Sequence, residues 1–503
     1  MKKFILTLLV IVISAGTAFS QEKRTLTLED VIQLAKDNSR SAKLAETRRT
    51  FGYWGYKVYQ AGLKPQLLLR GNFPNYTNRS VPVTQPDGTV SFRSVNQAQA
   101  DLSLGFQQVL PWTNTTVSLE TNLVRFEDYA GDVSNFQGDP FGITIAQPLF
   151  SVNPYKWDKI IEPLQYEQSK RRYVQDMESA SQQAASLFFG LLDVQKNLEI
   201  ALQNEASALE VNNIEKGRYN IGTTTEDELL QTEAELLQAQ GEAQQARLDV
   251  QSTSLSLRTF IGLNENLEIE LVTPEDAPVF EVDFEKAYQY AKDNRSQYLD
   301  FEIDRLEAER GIATARARRF NATVSASFGY NSVQTNSIGD VYDPLNTASG
   351  GTFRLNFNMP ILDGGRNKAG MNQARASQQL TEFTIEQNQI TFEQEIATAV
   401  RNFVQLKTQI DIALKRQDIA LRRFEITNSR YLAGKVGILD LGNARTSKDS
   451  SIRGYIAALR QYWNAYYELR TLTLYDFQTN TVLYNPLMEY DPKTDSAIIV
   501  ESK

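Results

Sequence analysis

The side chains best suited to chemistry in this sequence are carboxylates that follow two glycines. Asp227 and Glu228 come shortly after Gly222, and Asp440 comes 6 residues after Gly434. Two carboxylates can hydrolyse a glycosidic bond, but one of them must then have a raised pKa in a cleft. Asp227 and Glu228 instead occupy the start of a predicted helix, next to threonines. We therefore expect that the protein is not an enzyme.

The composition argues against most other reactive sites. The 503 residues include no histidine and no cysteine. Histidine is the usual general base near neutral pH and the commonest metal ligand. Thiolate metal sites, cysteine nucleophiles and disulfides all require cysteine. The net charge of −9 lacks the basic footprint that nucleic acid requires. We expect no catalytic residues, no metal, no cofactor and no nucleic-acid partner.

The N-terminus reads as an export signal. Lys2 and Lys3 precede an apolar run at 4–13, and the small residues Ala18 and Ser20 precede a cleavage point before Gln21. Residues 1–20 are thus a predicted signal peptide. No other window approaches the ~20 apolar residues of a transmembrane helix. An exported chain of this kind is periplasmic, secreted or an outer-membrane β-barrel.

The sequence repeats its own plan. Three pairs of segments correspond in the two halves: 28–38 with 284–294, 146–150 with 358–362, and RYNIG at 218–222 with RYLAG at 430–434. Each half predicts a helix, a block of strands and a long helical stretch. These lie at 28–62, 66–150 and 154–262, and again at 284–318, 321–361 and 366–475. We predict a first repeat at 21–263, a linker at 264–282, a second repeat at 283–475 and a tail at 476–503.

The middle blocks alternate between apolar and polar residues, as strands do. Residues 321–331 and 352–359 keep this period of two. Half one shows it at 66–73, 99–107, 115–123 and 141–147, where Arg70, Asp101 and Glu120 lie on polar faces. A half-buried sheet of a soluble protein alternates in the same way. Aromatic residues cluster at the strand ends, which favours a transmembrane barrel.

The number of strands then requires several chains. Four to six strands are predicted per chain, whereas the smallest transmembrane barrels have about eight. A sheet edge cannot face lipid, because its N–H and C=O groups would remain unpaired. If the strands cross a membrane, several chains must build one barrel.

The long helical stretches carry seams with spacings of three and four residues, typical of coiled coils. The first seam is Leu229, Thr232, Leu236, Ala239, Ala243, Ala246, Val250, Thr253 and Leu257; the second is Ile452, Tyr455, Leu459, Tyr462, Tyr466, Leu469 and Thr473. A helix from 155 to about 214 would be ~90 Å long, so it needs parallel neighbours. One alternative is a fibrous, non-catalytic coiled-coil protein that spans the envelope.

Strand and helix meet at two proline motifs. Pro148 and Pro360 end a strand or start a helix, and Gly364 and Gly365, after Asp363, permit a sharp change of direction. A barrel that continues into a cylinder of helices forms a tunnel.

At these motifs the chain resembles the TolC family of outer-membrane channel proteins. The resemblance rests on MPILDGGR at 359–366, the two RY-x-x-G motifs and the internal two-fold repeat. It implies a mixed α and β fold, in which long antiparallel coiled-coil helices form a periplasmic tunnel and antiparallel transmembrane strands build a shared barrel in a trimer. It also implies an outer-membrane location, a periplasmic adaptor, an inner-membrane pump of the RND or ABC type, and passive export of drugs, small toxic compounds or proteins.

The resemblance also implies site residues. The adaptor-facing tip comprises Arg218, Tyr219, Gly222, Thr223, Thr224, Arg430, Tyr431, Gly434, Lys435 and Val436. Glu228 and Asp440 match acids that narrow and gate the entrance, where three copies would form a ring that favours cations. The family has a further acid where this chain has Asn443. Glu226 and Asp227 either add charge there or stabilise the helix start.

The first half contains an insertion that departs from two strands per half. Residues 100–123 read as a hairpin that turns at 111–113. This hairpin either adds two barrel strands, giving eighteen in a trimer, or lies outside the membrane and leaves the family's twelve. The sequence assigns no role to the tail and does not name the cargo.

Overall fold

A computed structural model describes residues 23–263, 268–274, 277–278, 280–332, 335–494 and 496–499. The predicted signal peptide at 1–20 lies outside these residues. The described chain divides into two compact units. The first comprises the residues up to Thr50, Lys170–Ser296 and those from Ile390 onward, and the second comprises Phe51–Ser169 and Gln297–Gln389.

The first half contains short helices, a run of strands and a helical hairpin. Its elements are β1 (Lys23–Leu26), α1 (Leu28–Asn38), α2 (Arg40–Gly62), β2 (Gln66–Thr84), β3 (Val90–Leu110), β4 (Thr115–Asp128), β5 (Val133–Gln137), β6 (Phe141–Leu149), α3 (Pro154–Asn220) and α4 (Glu226–Phe260).

The second half follows the same order with fewer strands. Its elements are β7 (Glu268–Leu271), α5 (Phe284–Asn294), α6 (Gln297–Ala317), β8 (Asn321–Ser332), α7 (Ile338–Val341), a 3₁₀ turn (Pro344–Asn346), β9 (Thr347–Asn358), α8 (Arg366–Leu432) and α9 (Ile438–Thr473). The segment predicted as a linker contains β7, which pairs in parallel with β1. The tail forms four short strands, β10 (Tyr475–Asp476), β11 (Thr481–Val482), β12 (Met488–Asp491) and β13 (Ser496–Ile499).

The helix predicted at 28–62 is divided in two at Ser39. Ser39 has an extended backbone with ψ 150°, which ends α1. Its side-chain oxygen accepts a hydrogen bond from the backbone N–H of Ala42 at 3.0 Å, so it caps the start of α2. The helix predicted at 284–318 breaks at the corresponding place, between α5 and α6.

The four long helices confirm the predicted helical stretches. α3 and α8 have 67 residues each, and α4 and α9 have 35 and 36. The predicted seams form the inner faces: Thr232, Ala239, Ala243, Ala246 and Leu257 of α4 are buried, as are Leu459, Tyr462, Tyr466, Leu469 and Thr473 of α9. Knobs-into-holes spacing therefore predicts which side of each helix packs against its neighbours.

Seven strands of the described chain form one antiparallel sheet in the second unit. The order is β2-β3-β4-β6-β8-β9, and β5 pairs only with β4. The hairpin predicted at 100–123 is β3 and β4, and it turns at 111–114, where Asn114 has a φ of 61°. β4 continues the sheet by pairing with β6, so that Ser118 stands opposite Thr144. The hairpin is thus part of the sheet.

Candidate functional site: two hairpin turns and a two-faced sheet

Each long hairpin reverses at its RY-x-x-G motif. In the first turn (218–228), Gly222 has a φ of +77°, and the N–H of Thr223 donates to the carbonyl of Arg218 at 2.9 Å. In the second turn (430–440), Gly434 has a φ of +68°, and the N–H of Lys435 donates to the carbonyl of Arg430 at 2.9 Å. Both glycines adopt the left-handed conformation that ends a helix. The predicted position of the two reversals is confirmed.

The two turns differ in how the next helix begins. Thr225 caps α4, and Glu228 completes a capping box by accepting the N–H of Thr225 at 3.2 Å. Gly437 stands at the equivalent position before α9 and offers no side-chain cap. The first reversal therefore has polar side chains that fix its helix start, and the second does not.

The arginine and the tyrosine of the two motifs meet at Glu215. The hydroxyl of Tyr431 donates to Glu215 Oε1 at 2.9 Å, and Arg218 Nη1 approaches the same oxygen at 2.6 Å. The guanidinium of Arg218 also lies 5.5 Å from the centre of the Tyr431 ring. Tyr431 is 2 % exposed, and burial together with the Glu215 carboxylate raises its pKa to about 12. Arg218 and Tyr431 thus tie α8 to α3.

The predicted tip residues therefore fall into two groups. Tyr431 and Val436 pack into an apolar cluster with Val211 and Leu441. Tyr219, by contrast, is 41 % exposed. Gly222, Thr223, Arg430, Gly434 and Lys435 are also exposed, and Arg218 and Thr224 are half-buried. The exposed group is the part of the predicted tip that is accessible to solvent in a single chain.

The sequence did not single out Glu215, which organises this cluster. A glutamate 3 residues before Arg218 is a common helix-surface ion pair. Only the approach of α8 shows that Glu215 also receives a hydrogen bond from a residue 216 positions away. In the sequence, the only indication of a role for Glu215 was its separation of 3 residues from Arg218.

The two predicted gate acids have different surroundings. Glu228 is exposed, and hydrogen bonds from the Thr224 hydroxyl and the Thr225 N–H lower the pKa of its carboxyl. This is the opposite of the raised pKa that a catalytic general acid requires. Asp440 is exposed in the first turn of α9. The described residues include no cluster of acids suited to a metal ion.

The sheet has one apolar and one polar face. Residues directly opposite in neighbouring strands share a face. Leu67, Phe106, Leu119, Ile143 and Phe328 are opposite one another across five strands. Exposed apolar side chains cover this face: Leu67, Leu69, Leu102, Leu104, Phe106, Leu119, Ile145, Phe328, Phe353, Leu355 and Phe357.

The opposite face carries the predicted charged positions. Arg70 stands opposite Ser103, Asp101 opposite Asn72, and Glu120 opposite Gly105. Along their strands these three charged residues alternate with the apolar ones, so they lie on the face opposite the leucines, as predicted. An exposed apolar face of this size, backed by a polar face, is typical of a sheet in contact with lipid.

The strand-to-helix junction before α8 is built by backbone capping. Pro360 follows the end of β9. The carboxylate of Asp363 accepts the N–H groups of Gly365 at 2.9 Å and Asn367 at 2.8 Å, and these hydrogen bonds lower its pKa. Gly364 and Gly365 have φ values of +61° and +87°, as the change of direction requires. In the first half Pro148 lies within β6, opposite Thr323 and one residue before the strand ends.

None of the helices in the described ranges has the length and hydropathy needed to span a bilayer. The family model described as "Outer membrane efflux protein" matches the sequence over residues 89–263 and 283–473. A comparison with curated protein sequences gives no significant match.

Solved structures of outer-membrane proteins share this fold. The Campylobacter jejuni CmeC outer membrane channel is 15% identical with a TM-score of 0.65, over 91% of this chain and 87% of that chain. The outer membrane protein VceC from Vibrio cholerae is 17% identical with a TM-score of 0.61, over 89% and 96%. The open state of the Neisseria gonorrhoeae MtrE outer membrane channel is 16% identical with a TM-score of 0.56, over 89% and 88%.

Proposed function

Because the chain belongs to the outer membrane efflux protein family, we propose that it is the channel subunit of a tripartite efflux or type I secretion system. Family membership confirms the TolC-family resemblance and the location in the outer membrane with an extension into the periplasm. The protein is an efflux channel, and its family is one of ducts rather than of a known enzyme class. The proposal is that it passively exports drugs, small toxic compounds or proteins, and that the pump supplies the energy.

The observation that carries the proposal is the two-faced sheet. Its apolar face is exposed in a single chain, which fits lipid as the neighbour, and its polar face suits an aqueous lumen. A fibrous envelope spacer has no use for such a sheet. The spacer therefore remains the weaker alternative.

The sheet also supports a homotrimer with one shared barrel. Its outermost strands, β2 and β9, pair with one neighbour each among the residues that the structure describes. Open edges cannot face hydrocarbon, so they must pair with other copies. Apart from the short β5, which pairs beside β4, the six strands β2, β3, β4, β6, β8 and β9 alternate in direction, which makes β9 of one copy antiparallel to β2 of the next. Three copies then close a barrel of eighteen strands.

Eighteen strands rather than twelve give a wider lumen. With strands ~4.8 Å apart and tilted by ~40°, the barrel radius rises from about 12 Å to about 18 Å. Because β3 and β4 lie between β2 and β6 in the sheet, the proposal treats the inserted hairpin as two barrel strands. Paired cysteines at Ser118 and Thr144 test this choice. The two cysteines should form a disulfide in membranes if β4 adjoins β6, as in the eighteen-stranded barrel. They should form no disulfide if β2 adjoins β6, as in the twelve-stranded barrel.

The hairpin turns are the proposed contact with the periplasmic adaptor, which links the channel to an RND or ABC pump. The exposed side chains Tyr219, Thr223, Arg430 and Lys435 would make this contact. Rings of Glu228 and Asp440 would narrow the entrance and favour cations. Asp440→Ala should raise single-channel conductance, whereas Asp440→Glu, which keeps the charge, should leave it unchanged. Equal conductance in both variants would remove Asp440 from the gate.

The mass and conductance of the purified protein test the proposed function. Mature protein extracted from outer membranes should have a detergent-corrected mass of three chains, and it should form ion-conducting channels in planar bilayers. A monomer that is soluble without detergent and does not conduct would support the spacer instead.

A further inference from the structure

A large cavity lies where the strands of the second half join their helices. It measures about 1190 Å³. Its lining comes from the turn after β6 (151–152), the end of α6 (314–318), the strand ends Asn321 and Asn358, and the junction into α8 (360–373). All of these segments belong to the second unit. The cavity is therefore formed within one compact body.

The cavity lies on the polar side of the sheet. Asn321 of β8 and Asn358 of β9 stand directly opposite each other, and the adjacent pair is Ala322 with Phe357. Phe357 is part of the exposed apolar face. Because successive side chains of a strand point to opposite faces, the two asparagines belong to the polar face. In the proposed barrel that face lines the lumen, so a compound inside the duct can reach the cavity.

Two arginines give the cavity an excess of positive charge. Arg318 and Arg366 both line it, and neither forms an ion pair with any residue that the structure describes. Among the described residues, Asp363 is the only acid in the lining. Its two carboxylate oxygens accept the N–H groups of Gly365 and Asn367, at 2.9 and 2.8 Å. Asp363 therefore caps the start of α8 and does not pair with the guanidinium groups.

The acid in the adjoining groove already has a cation. Arg318 also borders that groove, which contains Glu307. The carboxylate of Glu307 lies 3.5 Å from the guanidinium of Arg310, which also pairs with Asp158 at 3.2 Å. Arg318 thus lacks a carboxylate partner on this side as well.

The rest of the lining combines hydrogen-bond donors with apolar groups. The side-chain amides of Asn321, Asn358 and Gln373 can donate, whereas Val152 and Leu362 are apolar. A guanidinium presents its N–H groups in a planar fork that matches a carboxylate, sulfonate or phosphate. Sites for small molecules usually join apolar walls to a few placed polar groups. This lining suits a compound with an anionic head and an apolar body.

We propose that this cavity is a binding site inside the duct for amphiphilic organic anions. Arg318, at the end of α6, and Arg366, at the start of α8, bind the anionic group. Val152 and Leu362 contact the apolar body. The proposal rests on the channel proposed above and specifies one class of compound that binds within it.

Block of the channel current tests this site. The probe is naphthalene disulfonate, and the matched neutral compound is dihydroxynaphthalene. Added on the extracellular side of the protein in a planar bilayer, the disulfonate should reduce the current at concentrations at which the neutral compound does not. From this side the probe reaches the junction through the barrel, without passing the proposed acidic entrance.

Three kinds of variant locate the block. Arg318→Gln and Arg366→Gln should each raise the half-blocking concentration roughly tenfold, because each removes a charged hydrogen bond. The control Arg319→Gln removes the same charge from an exposed neighbour that does not line the cavity, and it should leave the block unchanged. Gly370→Leu should weaken the block with both arginines present. Gly370 lines the cavity, and a Cβ placed there meets no other atom within 4 Å, so the added side chain would occupy part of the site.

The controls also define the results that would overturn the site. Equal block by the neutral compound would overturn it, and so would equal weakening by Arg319→Gln and Arg318→Gln, since the block would then need only general positive charge. Both cavity arginines are exposed, so their variants should fold, which an unchanged current without the probe would verify. If these variants conduct normally and the block is unaffected, only this site fails. A protein that forms no conducting channel would refute the proposed function itself.

Discussion

Loss of the Tyr431 hydroxyl is the sharpest test of the cluster at the hairpin turns. Tyr431→Phe keeps the buried ring, with its cation–π contact to Arg218, and removes one hydrogen bond to the Glu215 carboxylate. Glu215 retains Arg218 at 2.6 Å. The substitution therefore weakens the link between α3 and α8 without leaving the carboxylate unpaired.

The expected magnitude follows from the bond that is lost. A hydrogen bond to a charged group contributes about 1.5–3 kcal/mol. Because Arg218 still pairs with Glu215, we expect about 1.5 kcal/mol, near the lower end. One tenfold change in an equilibrium constant corresponds to about 1.4 kcal/mol. Local opening of the second turn should thus become roughly tenfold more frequent.

Hydrogen exchange of the backbone amides around Gly434 measures this opening. The matched control is Tyr219→Phe, because Tyr219 holds the same place in the first motif but is 41 % exposed. Tyr431→Phe should accelerate exchange about tenfold, and Tyr219→Phe should leave it unchanged. Equal exchange in the two variants would refute the assignment of Tyr431 to a stabilising cluster.

The pH dependence of the same exchange checks the cause. The pKa of Tyr431 is raised from 10.0 to about 12 in the folded chain. A raised folded pKa contributes stability that is complete below the unfolded pKa and is lost as the pH rises through the folded one. Protection of the turn should therefore hold up to about pH 10 and decline towards pH 12. Tyr431→Phe should abolish that decline.

Three further predictions concern other parts of the first unit. Gly434→Ala should destabilise the second turn by about 1–2 kcal/mol, because a residue with a Cβ is strained at the φ of +68° found there. Gly437→Ala, at a φ of −86°, should cost less stability. The same hydrogen-exchange measurement compares the two variants. Arg470→Met should lower the stability by about 3 kcal/mol, because it leaves the buried Asp476 carboxylate without its cation and leaves Glu178 with Lys36 alone. Thermal unfolding in detergent should show a far smaller effect for the exposed Arg460→Met. The pKa of the Glu228 carboxyl is lowered, so the stability that Glu228 gives to the start of α4 should be complete above its ordinary pKa and be lost as the pH falls through the lowered value. Hydrogen exchange of the first backbone amides of α4 measures this loss. Exchange that does not change with pH in this range would contradict the prediction.

Periodicity in the sequence predicted the fold because helices and strands both place apolar and polar side chains on different faces. The spacing of three and four residues identified the inner seam of α4 without knowledge of the neighbouring helices. The seam residues Thr232, Ala239, Ala243, Ala246 and Leu257 are indeed buried. The period of two likewise separated Arg70, Asp101 and Glu120 from the leucines. These patterns are local consequences of helix and strand geometry, so the sequence alone contains them.

Other features depended on contacts between distant segments. The break at Ser39 interrupts a continuous helical pattern, because a side-chain cap competes with the next helical hydrogen bond. The sequence left the place of the 100–123 hairpin open, since strand pairing is non-local. The structure pairs β4 with β6 and so includes the hairpin in the sheet.

The sequence by itself determined the positions of the long helices, the main strand blocks and the two glycine reversals, because backbone conformation depends on residue type and local spacing. It also carried the motifs that indicate the family. Only the tertiary structure decided which side chains serve the scaffold and which remain outside. Both motifs contain the same arginine–tyrosine pair. The buried Glu215 carboxylate nevertheless brings together Arg218 of the first motif and Tyr431 of the second, while Tyr219 and Arg430 face solvent. The physical reason is that burial and charge pairing depend on neighbours that lie hundreds of residues away in the chain.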